Sequence, residues 1–295
     1  MRRTTPNGAL EGRGHVALVT GASSGIGRSF ATHLASRGYD VVLVARRRAR
    51  LEELSRELST TYAVRAEVIP TDLAGPEAVA HIKAELDRMG LTVDFLVNNA
   101  GYSVLGHYCD VPWEQQQAYI RVLGTSVLEL TRCLLPAMVD QRWGRIVNVT
   151  SICGYFSGSP GQTLYAPIKS MVHKFSQSLA LEYERYGIVC TSAPPGATDT
   201  EILDASGGKA AEYVANNPLI KAITMNPDTY VKAAYDGCMQ GRRVVTPGLQ
   251  NRVWAFSLLH APPPVRYAMC AFMAKLSPPN QAEDRPSLTR AGAAH

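Results

Sequence analysis

A glycine-rich loop near the amino terminus restricts the possible folds of this chain more than any other stretch. The loop spans residues 21–27 (GASSGIG) and directly follows the short apolar run 15–20. After it, apolar residues recur at helical spacing, at Ile26, Phe30 and Leu34. A strand, a tight turn and a helix in this order predict the first unit of a parallel α/β sheet.

The rest of the chain repeats this alternation. Short β-branched runs predict five further strands, at 40–45, 64–70, 93–98, 145–150 and 188–193. Helical spacing predicts helices at 47–58, 76–89 and 113–141, and another from Gln162 onward. One doubly wound parallel α/β domain, a Rossmann fold, is therefore expected over residues 14–250. Residues 1–13 are expected to form a mobile arm, 251–280 a C-terminal helical extension and 281–295 a polar tail.

Composition and charge exclude several classes of function. The 295 residues are 46% hydrophobic and 19% charged with a net charge of +5, which is typical of a globular protein. No nucleic-acid motif accompanies the arginine clusters at 2–3 and 46–48, so no nucleic-acid partner is expected. The six cysteines form no C-x-x-C pair, which indicates buried thiols rather than a metal site. With no signal peptide and no apolar run of about 18 residues, a cytoplasmic protein without a transmembrane segment is expected.

The glycines of the loop suit a dinucleotide. Gly21 permits a tight turn, while Gly25 and Gly27 allow the backbone to approach a pyrophosphate at the helix amino terminus. The spacing is G-x-x-x-G-x-G rather than the commoner G-x-G-x-x-G. A purely structural turn is the alternative, and the position at the first strand-to-helix junction favours the cofactor site.

Cofactor choice depends on the end of the second strand. This strand leads into Arg46, Arg47 and Arg48 without a carboxylate, whereas NAD usually requires an acidic residue there. Arg46 can offer two hydrogen bonds to a 2′-phosphate and can stack on adenine. Arg47 and Arg48 are compatible with a solvated helix start, although cations there oppose the helix dipole. The pattern favours NADP(H) over NAD(H).

A hydroxyl, a phenol and an ammonium group lie within the segment 151–169. Tyr165 and Lys169 are four residues apart on a predicted helix and so share one face. A neighbouring ammonium group is expected to lower the pKa of the phenol and prepare it for proton transfer to or from a carbonyl or alcohol oxygen. Ser151 could hydrogen-bond the same oxygen. Such a pair also arises by chance, so its meaning depends on the cofactor site elsewhere.

Together with three further motifs, these residues make the chain similar to the short-chain dehydrogenase/reductase family over residues 14–250. The additional matches are Asp72-Leu73, Asn98-Asn99-Ala100-Gly101 and the segment from Pro195 to Thr200. The resemblance implies that Tyr165 is the general acid/base, that Lys169 tunes it and holds the nicotinamide ribose, and that Ser151 polarises the substrate oxygen. Cofactor contacts are expected from Gly21, Ser23, Ser24, Gly25, Ile26, Gly27, Arg46, Asp72, Leu73, Asn99, Ala100, Gly101, Tyr165, Lys169, Pro195, Gly196, Thr198 and Thr200, with no metal.

One residue departs from the family pattern. Arg121 stands where members with a full catalytic tetrad usually carry an asparagine. Arginine offers no acceptor group and adds a charge near Lys169. Either Arg121 turns away from the site, or it alters proton delivery, pairs an anionic substrate group or marks a loss of redox activity. The first reading is slightly favoured.

The substrate end is less constrained. Residues 201–225, with glycines at 207 and 208, are expected to form a lid, although a plain surface loop fits nearly as well. Tyr102, Tyr155 and Phe156 suggest an apolar substrate, but packing aromatics would look the same. The apolar stretch 253–276 could cover the pocket, form a subunit contact or lie on a membrane surface. The membrane surface is least favoured because this stretch has little of the basic face that a membrane-bound helix usually carries. The prolines at 262–264 argue against one continuous helix.

The sequence thus predicts an NADP(H)-dependent oxidoreductase that transfers hydride between the nicotinamide and an apolar ketone, aldehyde or secondary alcohol. The family resemblance implies a homodimer or homotetramer. Two alternatives are a cofactor-binding regulatory protein, suggested by Arg121, and a non-redox biosynthetic enzyme of the same fold.

Overall fold

A six-stranded parallel sheet forms the centre of the protein. The computed structural model describes residues 10–158, 161–198 and 224–275. The strands are β1 (Val16–Thr20), β2 (Asp40–Ala45), β3 (Ala66–Pro70), β4 (Phe95–Asn98), β5 (Gly144–Val149) and β6 (Ile188–Ala193), in the order β3-β2-β1-β4-β5-β6. The order reverses between β1 and β4, which confirms the doubly wound fold and places a ligand crevice at their carboxyl ends.

Helices cover both faces of the sheet. They are α1 (Gly25–Ser36), α2 (Arg48–Tyr62), α3 (Ala78–Arg88), α4 (Trp113–Ile120), α5 (Ser126–Asp140), α6 (Tyr165–Tyr183), α7 (Pro227–Met239), α8 (Leu249–His260) and α9 (Pro263–Lys275). Val19 packs with Phe30 of α1 on one face, and Leu18 packs in the opposite core with Ile82 of α3. Because both faces are buried, the strands are apolar without alternation, as their sequences indicate.

The predicted long helix is interrupted. A π-helical turn, Arg121–Thr125, separates α4 from α5. At this turn Gly124 lies so close to α6 that an added Cβ would be 2.9 Å from Met171 Cε. The continuous helical stretch Trp113–Asp140, 28 residues, is long and apolar enough to cross a membrane, but just over half of its most apolar window is buried inside the protein. It is therefore a core element, and periodicity alone did not indicate the turn.

The packed body begins at Leu10 rather than at residue 14. Gly12 N donates a hydrogen bond of 3.0 Å to the carbonyl oxygen of Arg37. The Tyr235 hydroxyl donates one of 2.6 Å to the carboxylate of Glu11. The last four residues of the predicted arm, 10–13, are thus held against α1 and α7. Local sequence could not show this, because both contacts join distant parts of the chain.

The C-terminal extension consists of two helices, α8 and α9, with Ala261 and Pro262 between them. This break agrees with the proline argument, since proline cannot continue a helix hydrogen-bond ladder. Asn251 of α8 is buried and donates a hydrogen bond of 2.8 Å to the Pro247 carbonyl. A Cβ on Gly196 would lie 2.1 Å from Asn251 Oδ1, so α8 packs directly on the 195–198 segment. The predicted tail 281–295 and most of the predicted lid lie outside the described residues.

Candidate active site

A cleft with a volume of about 300 Å³ opens at the carboxyl ends of the strands. Its walls come from the glycine loop and from the segments that follow β2, β3 and β4. They include predicted cofactor residues, namely Gly21, Ser23, Ser24, Gly25, Ile26, Arg46, Asp72, Leu73, Asn99, Ala100 and Gly101. The fold therefore brings together four motifs that are separated by up to 80 residues in the chain.

Backbone geometry explains the glycines. Gly21 and Gly25 have φ values of +67° and +51°, a region that disfavours side chains. Gly27 is needed for a different reason, because a Cβ there would lie 2.1 Å from the Gly21 carbonyl oxygen and 2.5 Å from Asn99 Nδ2. The turn therefore closes only with glycine at these positions, and it presents the amino terminus of α1 to the cleft.

Thr20 ties the loop after β4 to the glycine loop. Its hydroxyl oxygen accepts hydrogen bonds from the backbone nitrogens of Asn99, at 2.9 Å, and Ala100, at 3.0 Å. The Asn99 side chain donates back to the Thr20 carbonyl at 2.9 Å. Thr20 thus positions Asn99 and Ala100, which line the cleft, without being part of the lining itself. The sequence analysis missed this role, for which a lone hydroxyl at the end of a buried strand was the available signal.

Two arginines line the cleft beside the glycine loop. Arg46 follows β2 directly and forms part of the wall. Arg47 reaches across, and its Nη2 donates hydrogen bonds of 2.9 Å to the hydroxyls of both Ser23 and Ser24. The suggestion that Arg47 is only part of a solvated helix start is therefore wrong. On the opposite wall, Asp72 accepts a hydrogen bond of 3.0 Å from Ala74 N, which shapes the turn after β3.

Ser151, Tyr165 and Lys169 meet at the end of β5. The Ser151 hydroxyl oxygen accepts a hydrogen bond of 3.1 Å from Cys153 N. Lys169 is buried, with Nζ 2.9 Å from the Val149 carbonyl oxygen and 5.9 Å from the centre of the Tyr165 ring. The predicted constellation is thus assembled by a strand end and the first turn of α6.

Burial dominates the protonation of these groups. Burial raises the pKa of the Tyr165 phenol above its usual value, the nearby Cys153 thiol adds to the increase, and a hydrogen bond with Ser151 opposes it. Burial lowers the pKa of Lys169 to about 8. The pKa of Tyr165 in the protein alone is therefore raised, not lowered, and Lys169 is not among the causes of the shift. Loss of hydration disfavours the charged form of the phenol more than the Ser151 hydrogen bond favours it.

The 195–198 segment lies beside Ser151. Ile152 N donates a hydrogen bond of 3.0 Å to the Pro195 carbonyl, and the Thr198 hydroxyl donates one of 3.2 Å to the Gly196 carbonyl. The first contact holds these predicted cofactor residues next to Ser151, and the second fixes the turn within the segment. Thr200 lies outside the described residues.

Arg121 turns away from the site. Its Nε donates a hydrogen bond of 3.0 Å to the Gly75 carbonyl, and its Nη2 donates one of 2.6 Å to the Pro76 carbonyl. Nη2 also lies 3.4 Å from the carboxylate of Glu129. The slightly favoured interpretation agrees with this geometry, since the guanidinium is engaged by the turn before α3.

A buried polar network links α6, β6 and the residue that follows β5. His173 Nδ1 lies 2.7 Å from the Ser192 hydroxyl, which lies 2.9 Å from that of Thr150. The other ring nitrogen faces Gln177 Nε2 at 2.6 Å. Since an amide nitrogen can only donate, this ring nitrogen accepts, and the ring is neutral. Burial accordingly lowers the pKa of His173 to about 4.

The aromatic residues near the site have packing partners. Tyr155 stands edge-on to the His173 ring, and Tyr102 stands edge-on to Tyr119 at 5.2 Å. Within the described residues, no cluster of three or more His, Cys, Asp or Glu side chains could hold a metal ion.

Comparison with known proteins identifies this arrangement. A family model described as short chain dehydrogenase matches residues 15–210. The chain belongs to the short-chain dehydrogenase family. It is 33% identical over 263 residues to a very-long-chain 3-oxoacyl-CoA reductase of Anas platyrhynchos, covering 84% of this chain and 77% of that protein. For the Homo sapiens protein of the same name the identity is 32%, with coverages of 86% and 75%.

Solved structures agree with this assignment. A 7beta-hydroxysteroid dehydrogenase superposes with a TM-score of 0.80 at 26% identity, covering 90% of this chain and 99% of the other. A short-chain dehydrogenase from Sphingobium yanoikuyae in complex with NADPH gives 0.72 at 30% identity, with coverages of 92% and 98%. A 3-oxoacyl-[acyl-carrier protein] reductase from Brucella melitensis with bound NAD gives 0.68 at 27%, with coverages of 84% and 95%. This short-chain dehydrogenase is therefore a nicotinamide-dependent oxidoreductase.

Proposed function

We propose that this short-chain dehydrogenase uses NADPH to reduce a ketone on an apolar, lipid-like substrate, with a 3-oxoacyl thioester as the substrate class. The observation that carries the proposal is the arrangement of the cleft. Ser151, Tyr165 and Lys169 meet at the end of β5, while Arg46 and Arg47 line the cleft beside the glycine loop. The reacting groups are not part of the lining of this cleft, but β5 pairs with β4, whose following residues 99–101 line it, so one elongated ligand could reach both the reacting groups and the cation pair.

The protonation states of the site are compatible with the reductive direction. Because burial raises the pKa of Tyr165, its phenol keeps its proton near neutral pH and can give it to the oxygen of a carbonyl under reduction. Ser151 Oγ accepts from Cys153 N, and its hydroxyl hydrogen, which bonds Tyr165 in the protein alone, can be given to the same oxygen when a carbonyl binds. Lys169, with a pKa of about 8, keeps most of its charge at neutral pH. The bound nicotinamide supplies the hydride.

The preference for NADPH rests on the two arginines. A 2′-phosphate beside β2 would meet Arg46 and Arg47, and no carboxylate follows the strand to repel it. Arg47 is already oriented by Ser23 and Ser24, so less side-chain freedom is lost when the phosphate binds.

The substrate class rests on the relatives. Very-long-chain 3-oxoacyl-CoA reductases match most of this chain, and their name describes a ketone on a long apolar chain. The regulatory alternative has lost its main support, because Arg121 faces Gly75, Pro76 and Glu129 instead of Lys169. We also propose that the protein is cytoplasmic and that it forms a homo-oligomer.

The test begins with titration of NADPH and NADH by intrinsic fluorescence. Consumption of reduced nicotinamide is then followed with 3-oxoacyl-CoA substrates of short, medium and long chain, and with unrelated apolar ketones as controls. We expect tighter binding of NADPH and the fastest turnover with a long-chain 3-oxoacyl-CoA. Tight NADPH binding without oxidation by any of these carbonyls would overturn the proposal. A product whose mass shows no added hydrogens would favour a non-redox reaction.

A further inference from the structure

The helix pair α8–α9 is apolar on the side that faces away from the protein. Leu249, Val253, Phe256 and Leu259 of α8 are 74%, 57%, 64% and 51% exposed. The buried side of the same helix consists of Asn251, Ala255 and Leu258. The outer side thus carries more large apolar groups than the inner one. Packing within this chain does not explain why these groups are there.

The second helix also carries exposed apolar side chains. Val265 and Tyr267 of α9 are 48% and 63% exposed. We define the outer face as these two residues together with Leu249, Val253, Phe256 and Leu259. Several large apolar side chains exposed on one helix pair, as here, are typical of a site of association.

The inner side of the pair reaches the active site. Asn251 of α8 packs on Gly196, beside the catalytic serine. Cys270 of α9 is buried, and its thiol is near enough to influence the pKa of the Cys153 thiol, which burial raises. A partner bound to the outer face is therefore separated from the segment around Ser151 only by the helix pair.

The charge of the helix pair indicates what kind of partner fits the outer face. From Leu249 to Lys275 the sequence of the two helices has no aspartate or glutamate, whereas it carries three basic residues, Arg252, Arg266 and Lys275, of which Arg252 is exposed. A surface that combines apolar side chains with charge of this one sign complements an anionic lipid layer. A second copy docked through the same face would bring like charges together.

We propose that the outer face of α8–α9 rests on an anionic membrane surface. This reverses the sequence-based ranking, which rated the membrane lowest because the basic face is thin. Several apolar side chains of the stretch, which the sequence could equally place over the pocket, are turned outward. The purpose of the contact rests on the proposed function: a lipid-like substrate would enter from the bilayer next to the catalytic loop.

The experiment is sedimentation of the full-length protein with vesicles of phosphatidylcholine alone or mixed with phosphatidylglycerol. We expect the protein to pellet with the anionic vesicles and to be released by high salt, because salt screens exposed charges. The double variant Phe256→Ser, Leu259→Ser should weaken binding about tenfold or more, since it removes two large apolar groups from the contact. Leu181→Ser is the matched control, since Leu181 of α6 is exposed to a similar extent, 62%, outside the helix pair.

Other outcomes would overturn the inference. They are absence of binding to anionic vesicles at lipid excess, equal loss in the Leu181→Ser control, or a fall in oligomer mass by sedimentation velocity in the double variant without any vesicle binding by the parent. Turnover of a soluble short-chain 3-oxoacyl-CoA should be unchanged in the double variant. Vesicle binding without turnover would therefore refute the proposed function alone, and turnover without vesicle binding would refute this inference alone.

Discussion

The nucleotide end of the site, which is the cleft, and the catalytic end, which is the cluster of Ser151, Tyr165 and Lys169 beyond its lining, are built on different physical principles. At the nucleotide end, glycine backbone and exposed arginines form the wall, and Gly27 is fixed by a close approach to Gly21. At the catalytic end, the polar groups are withdrawn from water: Lys169 and Ser151 are each 7% exposed and His173 is 6% exposed. One end depends on shape and surface charge, the other on burial.

This difference determines what each end responds to. Exposed arginines stay hydrated, and dissolved salt screens their attraction to phosphate. Their affinity for phosphate therefore depends on the salt concentration. Burial at the catalytic end favours the uncharged forms, because it raises the pKa of Tyr165 and lowers that of Lys169 to about 8. The nucleotide end is therefore expected to respond to backbone substitutions and salt, and the catalytic end to pH.

The largest effect is expected from Tyr165→Phe. The ring and its packing are kept while the transferable proton is lost, so kcat should fall about 10²- to 10⁴-fold. The affinity for NADPH should change little, because the nucleotide end is intact. Tyr102→Phe is the control, since it removes a phenol from the wall of the nucleotide cleft. A Tyr165→Phe enzyme with undiminished kcat would disprove the catalytic assignment.

The catalytic end should also make folding sensitive to acid. The pKa of His173 is about 4 in the folded protein instead of 6.5, so the unfolded chain binds more protons between these values. The free energy of unfolding should be highest above pH 6.5 and fall by about 3 kcal/mol for His173 as the pH drops toward 4. Denaturant unfolding at several pH values measures this.

Burial also lowers the pKa of His33 to about 4, so its protonation affects the free energy of unfolding over the same pH range. His173→Asn should therefore flatten the pH dependence without removing it. An unchanged slope in this variant would show that the protonation of His173 is not coupled to folding.

The nucleotide end should set cofactor choice through charge. Arg46→Asp should lower the ratio of NADPH to NADH affinity by about 10- to 100-fold, since a charge-assisted hydrogen bond contributes roughly 1.5–3 kcal/mol. Arg47→Ala should lower it less, because Arg46 remains. Arg48→Ala is the matched control: Arg48 is exposed and lies 3.6 Å from Glu52. If all three variants give the same ratio, the arginines do not select the cofactor.

The smallest expected effect concerns the glycine loop. In Gly27→Ala the new Cβ would meet the Gly21 carbonyl oxygen at 2.1 Å, so the loop must shift at a cost of about 1–3 kcal/mol. We expect roughly tenfold weaker binding of both nucleotides and a lower melting temperature. Gly158→Ala serves for comparison because nothing lies within 4 Å of its Cβ position. Equal behaviour of the two variants would remove the geometric reason for Gly27.

Much of the site was predictable because its signals are local. The six strands lie within two residues of their predicted bounds at each end, since buried parallel strands are short and continuously apolar. The glycines of the loop are dictated by φ and by close approach. Tyr165 and Lys169 are one helical turn apart. These features are properties of neighbouring residues, and the sequence contains them directly.

Other features depend on residues that are distant in the chain. Arg47 reaches Ser23 over 24 positions, and His173 reaches Ser192 over 19. The direction of the Tyr165 pKa shift depends on how much protein surrounds the phenol, which no local pattern records.

The sequence by itself therefore determined the doubly wound sheet, the glycine turn and the placing of Tyr165 and Lys169 on one helix face, because these follow from periodicity, backbone conformation and spacing. The tertiary structure decided where Arg47 and Arg121 point, how burial shifts the protonation of Tyr165 and Lys169, and which side of α8 faces water. The physical reason is that burial and long-range contacts arise only when the elements pack together. An apolar residue at helical spacing reads the same in sequence whether it faces the core or the solvent.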